Sequence, residues 1–207
     1  MTATSSSAPV RPARVEWRRA EFVLTGLAFL GFLTLGIRIT TISSGLPAHP
    51  LFIHVPVILI PVSVIGALAV TYRPAWLERW GIALCLCAIV AMSSTFLAMQ
   101  AGAALTGALH LSGRASQLIA EHATAAKILA IAFTALTALL ILTFSATRIG
   151  DGRPTGLAVA DSILAQPQIR LLLRAGVVLF SLICAFYVYR VGDLGAQAVW
   201  LGRLPVR

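Results

Sequence analysis

"PAHPLFIHVPVILIPVSVIGALAVT", residues 47 to 71, runs from Leu51 to Thr71 without one charged side chain. A helix rises 1.5 Å per residue, so roughly 20 apolar residues cross the ~30 Å hydrocarbon core of a bilayer. Runs of the same kind lie at about 22–41, 81–104, 122–145 and 171–190. The chain of 207 residues is 58% hydrophobic and only 11% charged, too little polar surface for a soluble domain. The expected fold is an all-α polytopic membrane helix bundle with five transmembrane helices. Its expected parts are a disordered basic tail over 1–21, an extra N-terminal transmembrane helix over 22–42, and a four-helix membrane domain over 45–206 that ends in an outer-face segment.

The net charge of +9 would point to nucleic acid on a soluble protein. Here the basic residues fall between the apolar runs, so they report topology and contact with anionic lipid, and no nucleic-acid partner is expected. With the N-terminus inside, the inner segments hold Arg11, Arg14, Arg18, Arg19, Arg73, Arg79, Arg148, Arg153, Arg170 and Arg174. The outer ones hold Arg38, Arg114, Arg190, Arg203 and Arg207. Ten against five favours N-in, C-out. Lys127 is the only lysine, and the arginine bias with abundant alanine points to a bacterial, GC-rich source and so to a bacterial cytoplasmic membrane.

The first run has an alternative reading as a signal peptide, with a basic lead-in and the small polar end "TTISSG". No A-x-A site follows, and a retained helix is favoured. Tyr72, Trp76 and Trp80 in "TYRPAWLERW" suit an interfacial belt. The loop over 146–170 has room for a short surface helix. "RVGDLGAQAVWLGRLPVR", from Arg190, is too short and polar to span again and is expected on the outer surface or folded against the bundle. Cys85, Cys87 and Cys184 form no CxxC pair and read as buried thiols.

All four histidines fall on the outer side of this topology. His49 precedes Pro50 and is expected at a helix start on the membrane surface. His54 lies a turn deeper, where a polar ring needs a partner. Five residues separate the two, about 140° around a helix, so they cannot share a face. His122 opens a stripe of small residues, Ala126, Ala130, Thr134 and Ala138, and is expected to point into the bundle as the partner of His54. Glu121 beside it lies on another face. His110 sits in a loop and is expected to be solvated. Pro56 and Pro61 lack N–H groups, so the carbonyls of Phe52 and Val57 lose their helical donors. The expected result is a kink that widens the outer mouth, either for packing or to admit a cofactor or water.

"GLPAHPLFIHVPVILIPV" resembles the opening signature of a family of bacterial predicted membrane proteins without assigned function, marked by His-Pro-x-x-x-His-x-Pro. His49, Pro50, His54 and Pro56 match that signature, and His122 matches a further histidine of the family. Gly192, Leu194, Gly195, Ala196, Val199 and Trp200 match its closing segment. The resemblance covers about 45–206 and implies a four-helix core with helix one added. The family often carries histidine in the closing segment, where this chain has Asp193 and Gly202. Its members occur beside Rieske or cytochrome c modules, which implies a redox setting and respiratory or other redox membrane proteins as partners by association alone.

Three functions stay open. An accessory or structural subunit, not an enzyme, needs nothing beyond interhelical hydrogen bonds from the histidines. A b-type haem protein would use His54 and His122 as axial ligands, with Arg38, Arg114, Lys127 or Arg190 on the propionates. A copper or zinc site would draw on His49, His54 and His122, perhaps with Glu121, although the spacing is not that of a known metal motif. No mid-membrane acid supports a proton-coupled transporter, and no catalytic triad is readable.

Overall fold

The computed structural model describes residues 20–39, 41, 45–108 and 112–200. The expected N-terminal tail, apart from Ala20 and Glu21, lies outside them, as do His110 and the last seven residues. Among the described residues the chain is helical, with one isolated bridge between Thr41 and Pro47. The helices are α1 (Ala20–Leu33, continued by a 3-10 turn over Thr34–Gly36), α2 (His49–Phe52), α3 (His54–Tyr72), α4 (Ala75–Ala108), α5 (Gly113–Gly150), α6 (Ala158–Leu164) and α7 (Pro167–Trp200). Four stretches are long and apolar enough to cross a membrane: His49–Tyr72, α4, α5 and α7. The expected fifth, α1, is apolar but shorter.

The four long helices close into a ring in which α3 packs on α4, α4 on α5, α5 on α7, and α7 on α3. The apolar stretches of α5 and α4 are 61% and 56% buried, against 28% and 22% for α3 and α7, so α4 and α5 are the inner pair. The reason is α1, which lies against both of them. Phe32 meets Phe96 edge-on at 5.7 Å, the Thr34 hydroxyl donates to the Ser93 carbonyl, and the Gln100 amide donates to the Leu35 carbonyl at 2.7 Å.

The hydroxyls inside the helices are mostly satisfied within their own helix. Thr71, Ser93, Thr95, Thr134, Thr137, Thr143 and Ser145 each donate to the carbonyl four residues back. A hydroxyl satisfied this way can enter a membrane at little cost and does not form a polar path.

Three expectations on helix ends are corrected. Helices α4, α5 and α7 have 34, 38 and 34 residues. At 1.5 Å per residue they measure roughly 51–57 Å and overshoot the hydrocarbon core by about 20–27 Å. His122 therefore does not open its helix; it lies nine residues past Gly113, about 13 Å along the axis. The segment from Val191 to Trp200 is neither a surface strap nor a fold-back but the last turns of α7. The break near the prolines is a turn at Ile53 that separates α2 from α3. It leaves Pro56 in the first turn of α3, where a missing N–H costs nothing, and Pro61 alone inside the helix.

Helix α5 ends in a Schellman motif. Gly152 takes φ +75°, its N–H bonds to the Ile149 carbonyl, and the N–H of Arg153 returns to the Arg148 carbonyl at 2.9 Å. A side chain with a Cβ is strained in that conformation, so Gly152→Ala should destabilise the protein by about 1 kcal/mol, read as a lower unfolding midpoint in detergent. The next residues are held by Asp161, whose carboxylate accepts from the Thr155 hydroxyl and N–H and from the Gly156 N–H. The Thr155 hydroxyl, first of these donors, holds the Asp161 carboxyl below its ordinary value. A lowered pKa means that this order is present above the unfolded value and lost as pH falls through the folded one. Cleavage within residues 153–157 by an acid-tolerant protease should therefore accelerate on acidification, and Asp161→Ala should be cleaved faster already at neutral pH.

Candidate functional site

The antiparallel ring has two chemically distinct ends. One carries Arg73, Arg79, Arg148, Arg153, Arg170 and Arg174. The other carries the described histidines. There the chain enters α2 through Ala48, which is fully buried, and Pro50 sits in the first turn. That start turns the His49 ring inward. Its Nδ1 lies 2.8 Å from the Ala98 carbonyl on α4. A carbonyl only accepts, so Nδ1 carries a proton and donates it.

His122 repeats the arrangement on the other two helices. Its Nδ1 donates to the Val191 carbonyl on α7 at 3.0 Å. In both cases a glycine stands four residues after the accepting carbonyl. A Cβ on Gly102 would fall 3.0 Å from the His49 ring, and one on Gly195 would fall 3.3 Å from the His122 ring. In a helix the carbonyl of residue i points toward residue i+4. A side chain there would cover the oxygen; glycine leaves it open to a ring from the neighbouring helix. Each histidine is thus a clamp between two helices, α2 onto α4 and α5 onto α7.

His54 is not part of this arrangement. It is exposed, and among the described residues its ring makes one hydrogen bond, a long one of 3.4 Å to the Leu51 carbonyl of its own turn. The expected inward position of His54, as partner of His122, is corrected: the histidine of this segment that turns onto a neighbouring helix is His49. Ile53 keeps α-helical dihedrals, so the two histidines stay on different faces, and depth along the sequence did not say which face turns inward. Among the described residues no three His, Cys, Asp or Glu side chains converge as a metal-binding group, so His49, His54 and His122 do not meet at one point. Glu121 is exposed beside His122. Of the four basic residues considered for propionates, Arg38, Arg114 and Lys127 are exposed, and Arg190 lies 4.0 Å from Asp193 on its own helix. The stripe below His122 faces its neighbours only in part. Ala130 is buried but Ala138 is exposed, because four-residue steps drift about 40° each around a helix.

Sequence reasoning missed the buried charges at the opposite end. Glu21, 5% exposed in the first turn of α1, forms an ion pair with Arg148 near the end of α5. The signal was available: a single acid opens one apolar run and a single arginine closes another.

The model of the predicted membrane protein family DUF2231 matches residues 45–207, and the chain belongs to that family. The match begins after α1, so the ring of four long helices, the clamps and the closing turns of α7 all fall within it. No curated protein and no solved structure matches the chain significantly.

Proposed function

We propose that this protein is an accessory membrane subunit, not an enzyme, whose histidines serve as interhelical clamps. The observation that carries the reading is the repeated unit: imidazole Nδ1–H to a carbonyl on a neighbouring helix, over a glycine one turn later, at His49 and again at His122. It spends each ring's donor on structure and holds the mouth of the ring closed. The excess of arginines at the opposite end supports an orientation with that end in the cytoplasm and the histidines outside.

A second reading has one specific observation in its favour. A histidine whose Nδ1–H is tied to a carbonyl presents Nε2 as a ligand, the usual arrangement in metal and haem sites. If a redox metal or haem b binds, the pair to hold it is His49 and His122, with His54 outside the site. The absorption spectrum and metal content of detergent-purified protein, expressed with ample haem and metal, separate the two readings. The clamp reading expects a colourless, metal-free protein in which His49→Ala and His122→Ala lower the unfolding midpoint while His54→Ala leaves it near that of the wild type. A Soret band, or one equivalent of bound copper, lost in His49→Ala and His122→Ala but kept in His54→Ala, would overturn it in favour of the second.

A further inference from the structure

At the arginine-rich end, α4 and α5 part to form a cleft of about 210 Å³. Three guanidinium groups, Arg79, Arg148 and Arg153, line it above an apolar floor of Leu77, Ile82 and Phe144. We propose that this cleft binds a phosphate group, namely the phosphodiester of an anionic lipid headgroup whose glycerol rests against Ile82.

Each part of the cleft is held in place by a definite contact. Phe144 is buried, and the Arg148 guanidinium lies 5.6 Å over its ring. The Schellman turn at Gly152 brings the chain back so that the Arg153 backbone bonds to Arg148, which sets Arg153 beside the cleft instead of in an open loop. Arg79 leaves α4 next to Trp80, its guanidinium 5.4 Å from that ring. Two carboxylates oppose the three cations, Glu78 on the lining and Glu21 on Arg148, so the cleft keeps a net positive charge. Both Arg79 and Arg153 are exposed and can turn to a ligand.

The depth of the cleft fits the same ligand. Tyr72, Trp76 and Trp80 are exposed at this end, and aromatic residues of that kind settle at the headgroup layer. The cleft therefore opens where lipid phosphates lie. Arginine binds phosphate oxygens in a fork and keeps its charge at this boundary. Leu77 and Phe144 are already buried, but Ile82 is part exposed, and the glycerol of a lipid can cover it where a free anion cannot. The site lies at the far end of the bundle from the histidine clamps and does not depend on their reading.

The test uses the full chain in a neutral detergent with three probes: dioctanoyl phosphatidylglycerol, dioctanoyl phosphatidylcholine and inorganic phosphate. Trp76 and Trp80 report binding through their fluorescence. Phosphatidylglycerol is expected to bind at least tenfold more tightly than phosphatidylcholine, and the Arg79→Gln, Arg153→Gln double variant to lose at least tenfold in affinity for it. Arg190→Gln, at the other end, should bind as the wild type does. Inorganic phosphate displacing the lipid only at millimolar concentration fits a lipid site; phosphate binding as tightly as the lipid would overturn the lipid assignment in favour of a free phosphate. Equal binding of the two lipids, an unaffected double variant, or an equal loss in Arg190→Gln would each overturn the site. Should the double variant unfold, Arg153→Gln alone carries the same comparison, because its side chain lies outside the helices.

Discussion

Arg148→Leu should cost about 3–5 kcal/mol of stability, the usual penalty when one partner of a buried ion pair is removed. Glu21 would be left in a site with 5% exposure and without the cation that now faces it. It must then stay charged at high cost, take up a proton, or pull α1 out of its groove between α4 and α5. All three outcomes lower the unfolding midpoint, and the third also exposes the α1 face to a protease. The compensated double variant, Glu21→Leu with Arg148→Leu, decides whether charge is the cause. A buried pair replaced by apolar side chains of similar volume is often neutral or stabilising, so the double variant should recover most of the loss. If the double variant is as unstable as Arg148→Leu, then Arg148 acts through its stacking on Phe144 and its other contacts instead of through Glu21.

The sequence was informative where the bilayer imposes its own rule. Only apolar side chains can line the hydrocarbon, so the runs starting near Leu51, Gly81, His122 and Leu171 lie inside the four long helices. It was uninformative where that rule ends. Beyond the headgroups a helix needs no apolar run, and α4, α5 and α7 continue past it with polar residues. Their true limits are set by local backbone chemistry: the turn at Arg73 and Pro74, the positive φ of Gly113, and the Schellman glycine at 152. The C-terminal turns of α7 did carry a signal. Val191, Leu194 and Ala198 repeat at three- and four-residue steps, and these are the residues that pack on Leu118 and Ala125.

The candidate site was half legible for a related reason. The 140° between His49 and His54 correctly excludes a shared face, but it does not say which of the two turns inward. Depth favoured His54. The direction is decided instead by an open carbonyl on α4, and that opening is a property of Gly102, some fifty residues away in sequence. No local pattern connects them. The same long-range dependence joins His122 to Gly195, and it gives a physical role to one glycine of the closing segment, while Gly192 has nothing within 4 Å of its Cβ position.

That dependence makes Gly195→Val the sharpest test of the clamps. The new Cβ would sit 3.3 Å from the His122 ring before its two methyls are counted, over the Val191 carbonyl to which the ring donates. Overpacking of this kind costs about 1–3 kcal/mol, and the displaced hydrogen bond adds roughly 1 kcal/mol more. Gly102→Val should behave alike at His49, where the approach is closer still. The decisive comparison is with the ring removed. His122→Ala opens the space that the valine needs, so Gly195→Val should cost far less in that background, a coupling of about 1–3 kcal/mol between two residues more than seventy apart in sequence. Full additivity of the two substitutions, measured by unfolding in detergent, would mean that the glycine is there for helix packing in general and that the imidazole does not depend on it.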